Sequence, residues 1–283
     1  MTNSSKPAVV ITGAAKGIGR VTASHLAQRG YQIFAGVRND GDGAALMQES
    51  EGAIIPLLLD ITRPAQIAAA VADVRTIVGE SGLAGLVNNA GIAVAAPLEF
   101  LPIDELRAQL EVNAVGQLAV TQGFLPLLRQ ARGRIINISS MAGRIAGPWT
   151  GPYHASKFAL EALTDALRQE LAPWQMAVVS IEPGVIATPI WESSLARARR
   201  LKAQLPPAAH ELYGEQMQRE LARAEQNQTR GISPERVAAV VYRALTARRP
   251  RTRYPVGLDA QLAINLLARL PDRWRDWLVA RRG

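Results

Sequence analysis

Cysteine is absent from the 283-residue chain, and histidine occurs only three times, at His25, His154 and His210. Without cysteine the protein has no disulfide and no thiolate for catalysis or metal binding. The three histidines are too widely separated to show the spacing of a metal site, and we therefore expect no metal. These absences exclude disulfide-stabilised and thiol-dependent classes of protein.

Long apolar runs are also absent. The longest segment without a charged residue, 81–98, is interrupted by Gly85, Asn89 and Pro97, which is not typical of a membrane-spanning helix. Residues 1–6 are polar and lack the apolar core of a signal peptide. We therefore expect a cytoplasmic protein.

Acidic residues are scarce in the last third of the chain. The net charge is −2 up to Ala196 and +10 from Arg197 onward, and almost every cation in the second part is arginine. Attraction to an anionic membrane surface, an acidic carrier or a charged substrate is one interpretation. A solvated arginine-rich surface is the interpretation we favour. No nucleic-acid-binding motif accompanies the charge, so we expect no nucleic acid partner.

Short β-branched runs alternate with longer amphipathic segments through most of the chain. Strands are predicted at 8–12, 31–36, 54–59, 83–88, 134–139, 176–182 and 253–256, and helices at 17–29, 43–50, 64–79, 104–130 and 152–171. Continuously apolar strands favour a parallel sheet that is covered on both faces. The repeated strand–helix order predicts a doubly wound α/β fold. Because no linker or repeat divides the chain, we expect one domain over 1–283.

The pattern changes after Gly184. Residues 189–232 have helical apolar spacing that is broken at Pro206 and Pro207, which indicates a helical insertion after the sixth strand. Ser233, followed by Pro234, is predicted to cap the helix that comes next.

Residues 257–283 form a predicted helical tail. Asp272 is a candidate cap, and Trp274, Trp277 and Leu278 lie at helical spacing among Arg273, Arg281 and Arg282. Tryptophan opposite arginine is the composition of a helix at a membrane interface. Packing of the tryptophans against protein is more common, and we favour it over peripheral membrane contact.

A glycine-rich turn, Thr12-Gly13-Ala14-Ala15-Lys16-Gly17-Ile18-Gly19, joins the first predicted strand to the first helix. Glycines allow the tight turn and the close approach of a ligand, and the helix N-terminus offers N–H groups to a pyrophosphate. The position of the motif between a strand and a helix favours a dinucleotide site over a flexible loop without a ligand.

The end of the second predicted strand distinguishes NAD from NADP. Its sequence is Gly36-Val37-Arg38, and no carboxylate is available for a ribose hydroxyl before Asp40. Arg38 can form bidentate hydrogen bonds with a 2′-phosphate, and Lys16 in the glycine turn can add a second cation. The sequence therefore predicts NADP(H), although an ordinary surface role for both cations remains open.

Tyr153 and Lys157 are spaced i and i+4, on one face of a predicted helix. A nearby ammonium favours the phenolate, and we therefore expect a lowered pKa for Tyr153. Such a phenol can act as an acid or base near neutral pH.

Together these motifs resemble the short-chain dehydrogenase/reductase family over residues 6–188. The resemblance also rests on Asp60, Asn88-Asn89-Ala90-Gly91, Asn113, Ser140, Pro183-Gly184 and Thr188. It implies a Rossmann-type oxidoreductase of alcohols and ketones. Ser140 is chosen over Ser139 because it precedes Tyr153 by 13 residues, the separation usual in the family.

The resemblance implies a role for each of four catalytic residues. Tyr153 is expected to exchange a proton with the substrate oxygen, and Ser140 to hydrogen-bond that oxygen and stabilise its charge. Lys157 is expected to hold the nicotinamide ribose and to lower the pKa of the tyrosine. Asn113 is expected to anchor a water that links Lys157 to solvent.

The resemblance also implies the cofactor contacts. Asp60 and Ile61 are expected at the adenine and Asn89 near the ribose, while the turn at 183–188 holds the nicotinamide. The full predicted cofactor set is Gly13, Lys16, Gly17, Ile18, Gly19, Arg38, Asp60, Ile61, Asn89, Ala90, Gly91, Tyr153, Lys157, Pro183, Gly184 and Thr188.

The phrases Phe34-Ala35-Gly36-Val37-Arg38 and Ile138-Ser139-Ser140-Met141-Ala142-Gly143 resemble the subgroup that acts on retinol, hydroxysteroids and hydroxybutyrate. This resemblance implies a lipophilic secondary alcohol or ketone as substrate. An NAD-linked dehydrogenase and a reductase of carrier-bound acyl chains are the alternatives. A non-catalytic NADP(H) sensor is disfavoured because Tyr153 and Lys157 are both present.

The family resemblance further implies a homodimer or homotetramer. The predicted helices 104–130 and 152–171 are expected to pair between subunits. Their candidate interface residues, some of which must belong to the core, are Leu118, Phe124, Phe158, Leu163 and Leu167. A monomer in which all five are internal is the alternative.

Overall fold

The computed structural model describes residues 6–280. Seven parallel strands form one sheet in the order β3-β2-β1-β4-β5-β6-β7. They are β1 (Ala8–Ile11), β2 (Gln32–Val37), β3 (Ile54–Leu58), β4 (Gly85–Asn88), β5 (Arg134–Ile138), β6 (Val178–Pro183) and β7 (Arg253–Val256). Every predicted strand is confirmed within two residues at each end. The order reverses between β1 and β4, which confirms the doubly wound fold.

Helices connect the strands and cover both faces of the sheet. They are α1 (Gly17–Ala27), α2 (Asp40–Glu49), α3 (Pro64–Val78), α4 (Ile103–Leu110), α5 (Gly116–Ala131), α6 (Gly151–Glu170), α7 (Ile190–Gln204), α8 (Pro207–Arg230), α9 (Pro234–Thr246), α10 (Leu258–Asn265) and α11 (Asp272–Ala280). The helix predicted at 104–130 is continuous but contains a π turn, Glu111–Val115, between α4 and α5. The extra residue in that turn shifts the helical face of α5 relative to α4.

The core consists of two apolar layers on opposite faces of the sheet. In β1, Val9 and Ile11 contribute to the layer covered by α1 and α9, whereas Val10 contributes to the layer covered by α3 and α5. Both faces of the strand are buried, as its uninterrupted apolar sequence predicted. Phe124 is completely buried in the second layer. Of the candidate interface residues, Phe124 is therefore one that belongs to the core, because its phenyl ring packs against the sheet.

The helices α7 and α8 form an insertion after β6. A parallel bridge between Ile186 and Ile232 holds the two ends of this segment together. The insertion packs through Tyr213 against Trp149, a residue of the loop before α6. Arg197 of α7 also pairs with Glu105 of α4 at 2.5 Å. These contacts place the insertion over the loop that leads into α6.

Two details of the predicted helix ends need correction. Ser233 precedes α9 as expected, but its hydroxyl bonds the Glu235 carboxylate instead of a backbone N–H group. Asp272, the second predicted cap, is the first residue of α11 instead of the residue before it, and its carboxylate pairs with Arg275.

The predicted tail helix is present as α11. Trp274 and Trp277 are 65% and 49% exposed, so their indoles are not part of the apolar core. Arg281 and Arg282 lie outside the described residues. Within residues 6–280, no helix is both long enough and apolar enough to cross a membrane.

Candidate active site

The glycine turn lies where the strand order reverses, between β1 and β4. Gly13 and Gly17 have φ values of +63° and +61°, which favour glycine. A Cβ on Gly13 would lie 2.8 Å from the Cα of Ala90, and a Cβ on Gly19 would clash with the Gly13 carbonyl. The turn therefore requires glycine at all three positions, for its conformation or for its close contacts.

The N-terminus of α1 fits an anionic group. No side chain caps this end of the helix, and its first turn contains no acidic residue. The exposed Lys16 precedes it. A Cβ on Gly17 would lie 3.4 Å from the Cβ of Thr188, so the turn after β6 reaches the glycine turn. Free N–H groups, a nearby cation and this neighbouring turn fit the pyrophosphate of a dinucleotide.

Polar side chains follow the carboxyl ends of β2 and β3, which lie at the same edge of the sheet. Arg38 is exposed directly after β2, and Asp60 follows β3 with Ile61 buried beside it. Asp60 Oδ1 accepts hydrogen bonds from Thr62 N at 3.0 Å and Thr62 Oγ1 at 2.7 Å. Burial alone would raise the pKa of Asp60, but the Thr62 bonds and the charges of Arg38 and Arg63 outweigh burial and lower it.

Asn89 stabilises the glycine turn through hydrogen bonds. Its Nδ2 donates to the carbonyls of Thr12 at 2.9 Å and Gly13 at 3.0 Å. The Thr12 hydroxyl in turn accepts from the backbone N–H groups of Asn89 and Ala90. These contacts explain the polar pair Thr12 and Asn89 at the ends of two apolar strands.

Ser140, Tyr153 and Lys157 come together at the end of β5. The Ser140 hydroxyl is near enough to the Tyr153 phenol to favour its ionised form. Lys157 Nζ lies 5.7 Å from the centre of the Tyr153 ring and donates to the carbonyl of Ile138 at 2.8 Å. Ser140 Oγ also lies 3.4 Å from the carbonyl of Pro183. This geometry places a serine hydroxyl, a phenol and an ammonium in one small cluster.

Burial opposes the expected ionisation of Tyr153. It raises the pKa of the phenol, and only the Ser140 hydroxyl acts against it. The expectation of a lowered pKa is therefore wrong for the chain by itself. Lys157 is only 4% exposed, and burial lowers its pKa to about 8 against the attraction of Glu161. The ammonium is therefore still mainly protonated at neutral pH.

Asn113 lies in the π turn and is fully buried. Its Oδ1 accepts from Ile92 N at 2.9 Å, and its Nδ2 donates to Ile92 O at 2.9 Å and to Ser156 Oγ at 3.1 Å. Ser156 Oγ in turn donates to the carbonyl of Tyr153 at 2.7 Å. Asn113 thus links the loop after β4 to the backbone of α6.

His154 uses both ring nitrogens to hold the loop after Ser140. Nδ1 lies 3.0 Å from the carbonyl of Ala142, and Nε2 accepts from the N–H of Gly147 at 3.2 Å. Because Nε2 is an acceptor, Nδ1 carries the proton of a neutral ring. Burial lowers the pKa of His154 and so favours the neutral form.

Three further groups of contacts were not predicted from the sequence. Gln109 is buried one helical turn before Asn113 and also bonds the Ile92 carbonyl. Asp259 accepts from the N–H of Val185 in the turn after β6. Glu161, one helical turn after Lys157, and Glu182 of β6 are buried. Helical spacing from Asn113 and Lys157 could have indicated Gln109 and Glu161, but no motif indicates the other two.

Comparison with known proteins agrees with this geometry. Residues 7–199 match the family model described as short chain dehydrogenase. Retinol dehydrogenase 5 of Mus musculus is 41% identical, with 96% of this chain and 89% of the relative covered. An NADPH-dependent 3-dehydrocapnine reductase of Ornithobacterium rhinotracheale is 34% identical, with 94% of each chain covered. A short chain dehydrogenase of Burkholderia cenocepacia J2315, solved in complex with NADP, is 28% identical with a TM-score of 0.73, covering 98% of this chain and 97% of that one.

The fold and the site thus define a nucleotide-dependent oxidoreductase. The chain belongs to the short-chain dehydrogenase/reductase family, within the subgroup similar to retinol dehydrogenases.

The buried carboxyl of Glu182 predicts a pH-dependent stability. Burial, and after it the charge of Glu161, raise the pKa of Glu182 to about 7. The folded state therefore binds this proton more tightly than the unfolded state, and the resulting stability is lost as the pH rises through about 7. Replacement by glutamine, which cannot ionise, should gain stability relative to wild type between pH 5 and pH 9, by at most about 3 kcal/mol.

Urea unfolding at the two pH values measures this difference. Glu170→Gln is the matched control, because Glu170 is exposed near the end of α6. An equal effect of Glu182→Gln at both pH values would show that Glu182 does not hold a proton near neutral pH.

The two hydrogen bonds of His154 predict a second effect on stability. His154→Phe keeps a ring but removes both bonds, and it should cost about 1–3 kcal/mol at pH 8. Because the pKa of His154 is lowered in the folded protein, its contribution should decrease as the pH falls below 6.5. Chemical unfolding of both proteins at pH 8 and pH 5 checks this, and a cost that grows at pH 5 would contradict it.

Proposed function

We propose that the protein transfers a hydride between NADP(H) and a lipophilic secondary alcohol or ketone. The observation that carries the cofactor assignment is Arg38, which stands exposed after β2, where an NAD-specific site has a carboxylate. The exposed Lys16 adds a second cation beside the glycine turn. The NADPH-dependent relative and the NADP complex of a structural neighbour also support NADP(H).

The proposed cofactor contacts follow from the positions of the polar groups. The N-terminus of α1 and Lys16 bind the pyrophosphate, and Arg38 binds the 2′-phosphate. Asp60 and Ile61 border the adenine. Lys157 binds the nicotinamide ribose, and the turn at 183–188 holds the nicotinamide ring. When bound, the nicotinamide donates or accepts the hydride.

The residues of the cluster perform the proton transfer. Tyr153 donates its phenolic proton to the substrate oxygen during reduction, and Ser140 donates a hydrogen bond to the same oxygen. Lys157 stabilises the phenolate that remains, because its ammonium lies next to the ring. Asn113 and Ser156 fix the backbone at Tyr153, so the phenol keeps its position during the reaction.

The helical insertion is the proposed substrate-binding region. Its apolar residues Leu205, Tyr213 and Met217 pack in one cluster with Phe100 and with Trp149 of the loop before α6. An apolar cover next to the reacting groups suits a lipophilic substrate better than a charged one. The retinol dehydrogenase relatives support a lipophilic substrate. Because retinol is a primary alcohol, they do not favour a secondary alcohol over a primary one. A cytoplasmic location and a homo-oligomer built on α5 and α6 remain predictions.

A panel of carbonyl compounds tests the proposal. Retinaldehyde, steroid ketones, acetoacetate and short aliphatic ketones are offered with NADPH and, separately, with NADH. The proposal predicts oxidation of NADPH with a lipophilic carbonyl, measured as the loss of nicotinamide absorbance. A clear preference for NADH would support the NAD-linked alternative, and no turnover with any carbonyl would contradict the proposed activity.

Removing the phenolic hydroxyl should abolish turnover without preventing cofactor binding. Tyr153→Phe keeps the ring and removes the proton donor, so kcat should fall by about 10²–10⁴-fold. NADPH binding, measured by nicotinamide fluorescence, should stay within about twofold of wild type. Near-normal turnover would remove Tyr153 from its proposed role.

Cofactor preference should depend on Arg38. Arg38→Ala removes a charge-assisted contact to the 2′-phosphate and should weaken NADPH binding by about tenfold or more, with little change for NADH. Arg75→Ala is the control, because Arg75 is exposed on α3 away from the strand ends. Equal losses for both cofactors would contradict the proposed contact.

A further inference from the structure

A cluster of charged side chains lies behind Lys157 and has no part in the proposed hydride transfer. Four segments contribute to it: α6, β6, β7 and the loop after Ser140. Its members are Arg144, Glu161, Asp165, Arg168, Glu182 and Arg253. Glu161 is 5% exposed and Glu182 is fully buried. Carboxylates are almost never buried to this extent unless they are paired.

Glu161 is held by both of its carboxylate oxygens. Oε1 accepts a short hydrogen bond from Ser180 Oγ, and Oε2 accepts from Arg253 Nε at 3.0 Å. Arg253 is fixed in turn by Asp165 Oδ2 at 2.7 Å and lies 3.5 Å from Glu182 Oε1. The negative charge of Glu161 therefore has a defined position.

Glu161 lies one helical turn after Lys157 on α6. The two residues are spaced i and i+4 on α6, so their side chains lie on the same face of the helix. A Cβ on Gly143 would lie 2.9 Å from Glu161 Cγ and 3.0 Å from the Lys157 carbonyl, which places both residues under the loop after Ser140. The charge of Glu161 acts on Lys157 against the effect of burial.

We propose that Glu161 is a positioning residue for Lys157: fixed by Ser180 and Arg253, it supplies the buried negative charge that keeps the ammonium protonated in the pH range of the reaction. The relevance to catalysis rests on the proposed function of Lys157. The electrostatic relation between the two side chains does not depend on that function, and it can be measured without cofactor or substrate.

The charges around Lys157 determine whether its pKa falls or rises when Glu161 loses its charge. Arg253, Arg144 and Arg168 disfavour a protonated lysine, whereas Glu161, Asp165 and Glu182 favour it. Tyr153 faces Lys157 as a neutral phenol. Removing the charge of Glu161 also leaves Arg253 less neutralised, so both changes lower the pKa of Lys157. Glu182 acts in the opposite direction, because without the repulsion of Glu161 it ionises at lower pH.

The chain has only four lysines, Lys6, Lys16, Lys157 and Lys202, which makes the measurement direct. Protein labelled with ¹³C at lysine Cε is titrated by NMR from pH 6 to pH 11, and the Lys157 signal is assigned from the spectrum of Lys157→Met. In wild type it should titrate near pH 8. In Glu161→Gln the midpoint should fall by about one pH unit, as expected for the loss of one close opposite charge.

The matched control is Glu170→Gln, an identical change at an exposed position of α6, which should leave the Lys157 midpoint unchanged. Glu161→Asp keeps the negative charge on a side chain that is one methylene shorter. It should lower the Lys157 midpoint by less than Glu161→Gln does. If Glu161→Gln does not fold, Glu161→Leu, which also removes the charge, is titrated in its place, and a midpoint equal to that of wild type overturns the proposal. If both variants fold and only the melting temperature changes, Glu161 is merely structural and the proposal is wrong.

A pH profile separates this inference from the proposed function. With a carbonyl substrate and NADPH, the alkaline limb of kcat/KM should move to lower pH in Glu161→Gln by the same amount as the NMR midpoint. An NMR shift without any carbonyl turnover would contradict the proposed function and support the electrostatic relation. Carbonyl turnover with an unchanged NMR midpoint would support the proposed function and contradict the electrostatic relation.

Discussion

The close approach of the Gly13 turn to the Ala90 backbone, across the boundary between β1 and β4, is the constraint on which the rest of the site depends. Neighbouring parallel strands bring their carboxyl ends to one edge, and at this boundary the connections leave in opposite directions and open a crevice. The crevice stays narrow only because Gly13 and Gly19 have no side chains there. Thr12 and Asn89 then fix its two walls to each other through hydrogen bonds.

The buried polar groups around Lys157 have a different physical setting. Lys157, Glu161, Glu182 and Asn113 are removed from water, so each depends on protein partners. Lys157 has the Ile138 carbonyl and Asn113 has the Ile92 backbone. Glu182 has only partial compensation, since its Oε2 has no hydrogen-bond partner within the described residues. A low effective dielectric constant makes each of these charges act strongly on its neighbours.

Much of this arrangement could be predicted from the sequence, because it is encoded locally. The apolar strands, the glycine turn and the spacing of Tyr153 and Lys157 each lie within a few residues. The π turn at Glu111–Val115 was missed, since one additional residue shifts the apolar spacing of the helix by only a single position.

The ionic cluster was missed for another reason. Glu161 and Arg253 are 92 residues apart and meet only because β7 pairs with β6. The pKa of Tyr153 was predicted in the wrong direction, since a sequence shows the neighbouring charge but not the burial that opposes it.

The central claim is that the cluster of Ser140, Tyr153 and Lys157 serves a hydride transfer from NADPH to a carbonyl carbon. The most direct measurement uses NADPH carrying deuterium at C4 of the nicotinamide and locates the label in the product by mass spectrometry and NMR. Hydride transfer predicts one deuterium on the carbinol carbon when one of the two C4 diastereomers is used and none with the other. Alcohol formed without deuterium from either diastereomer would contradict the claim.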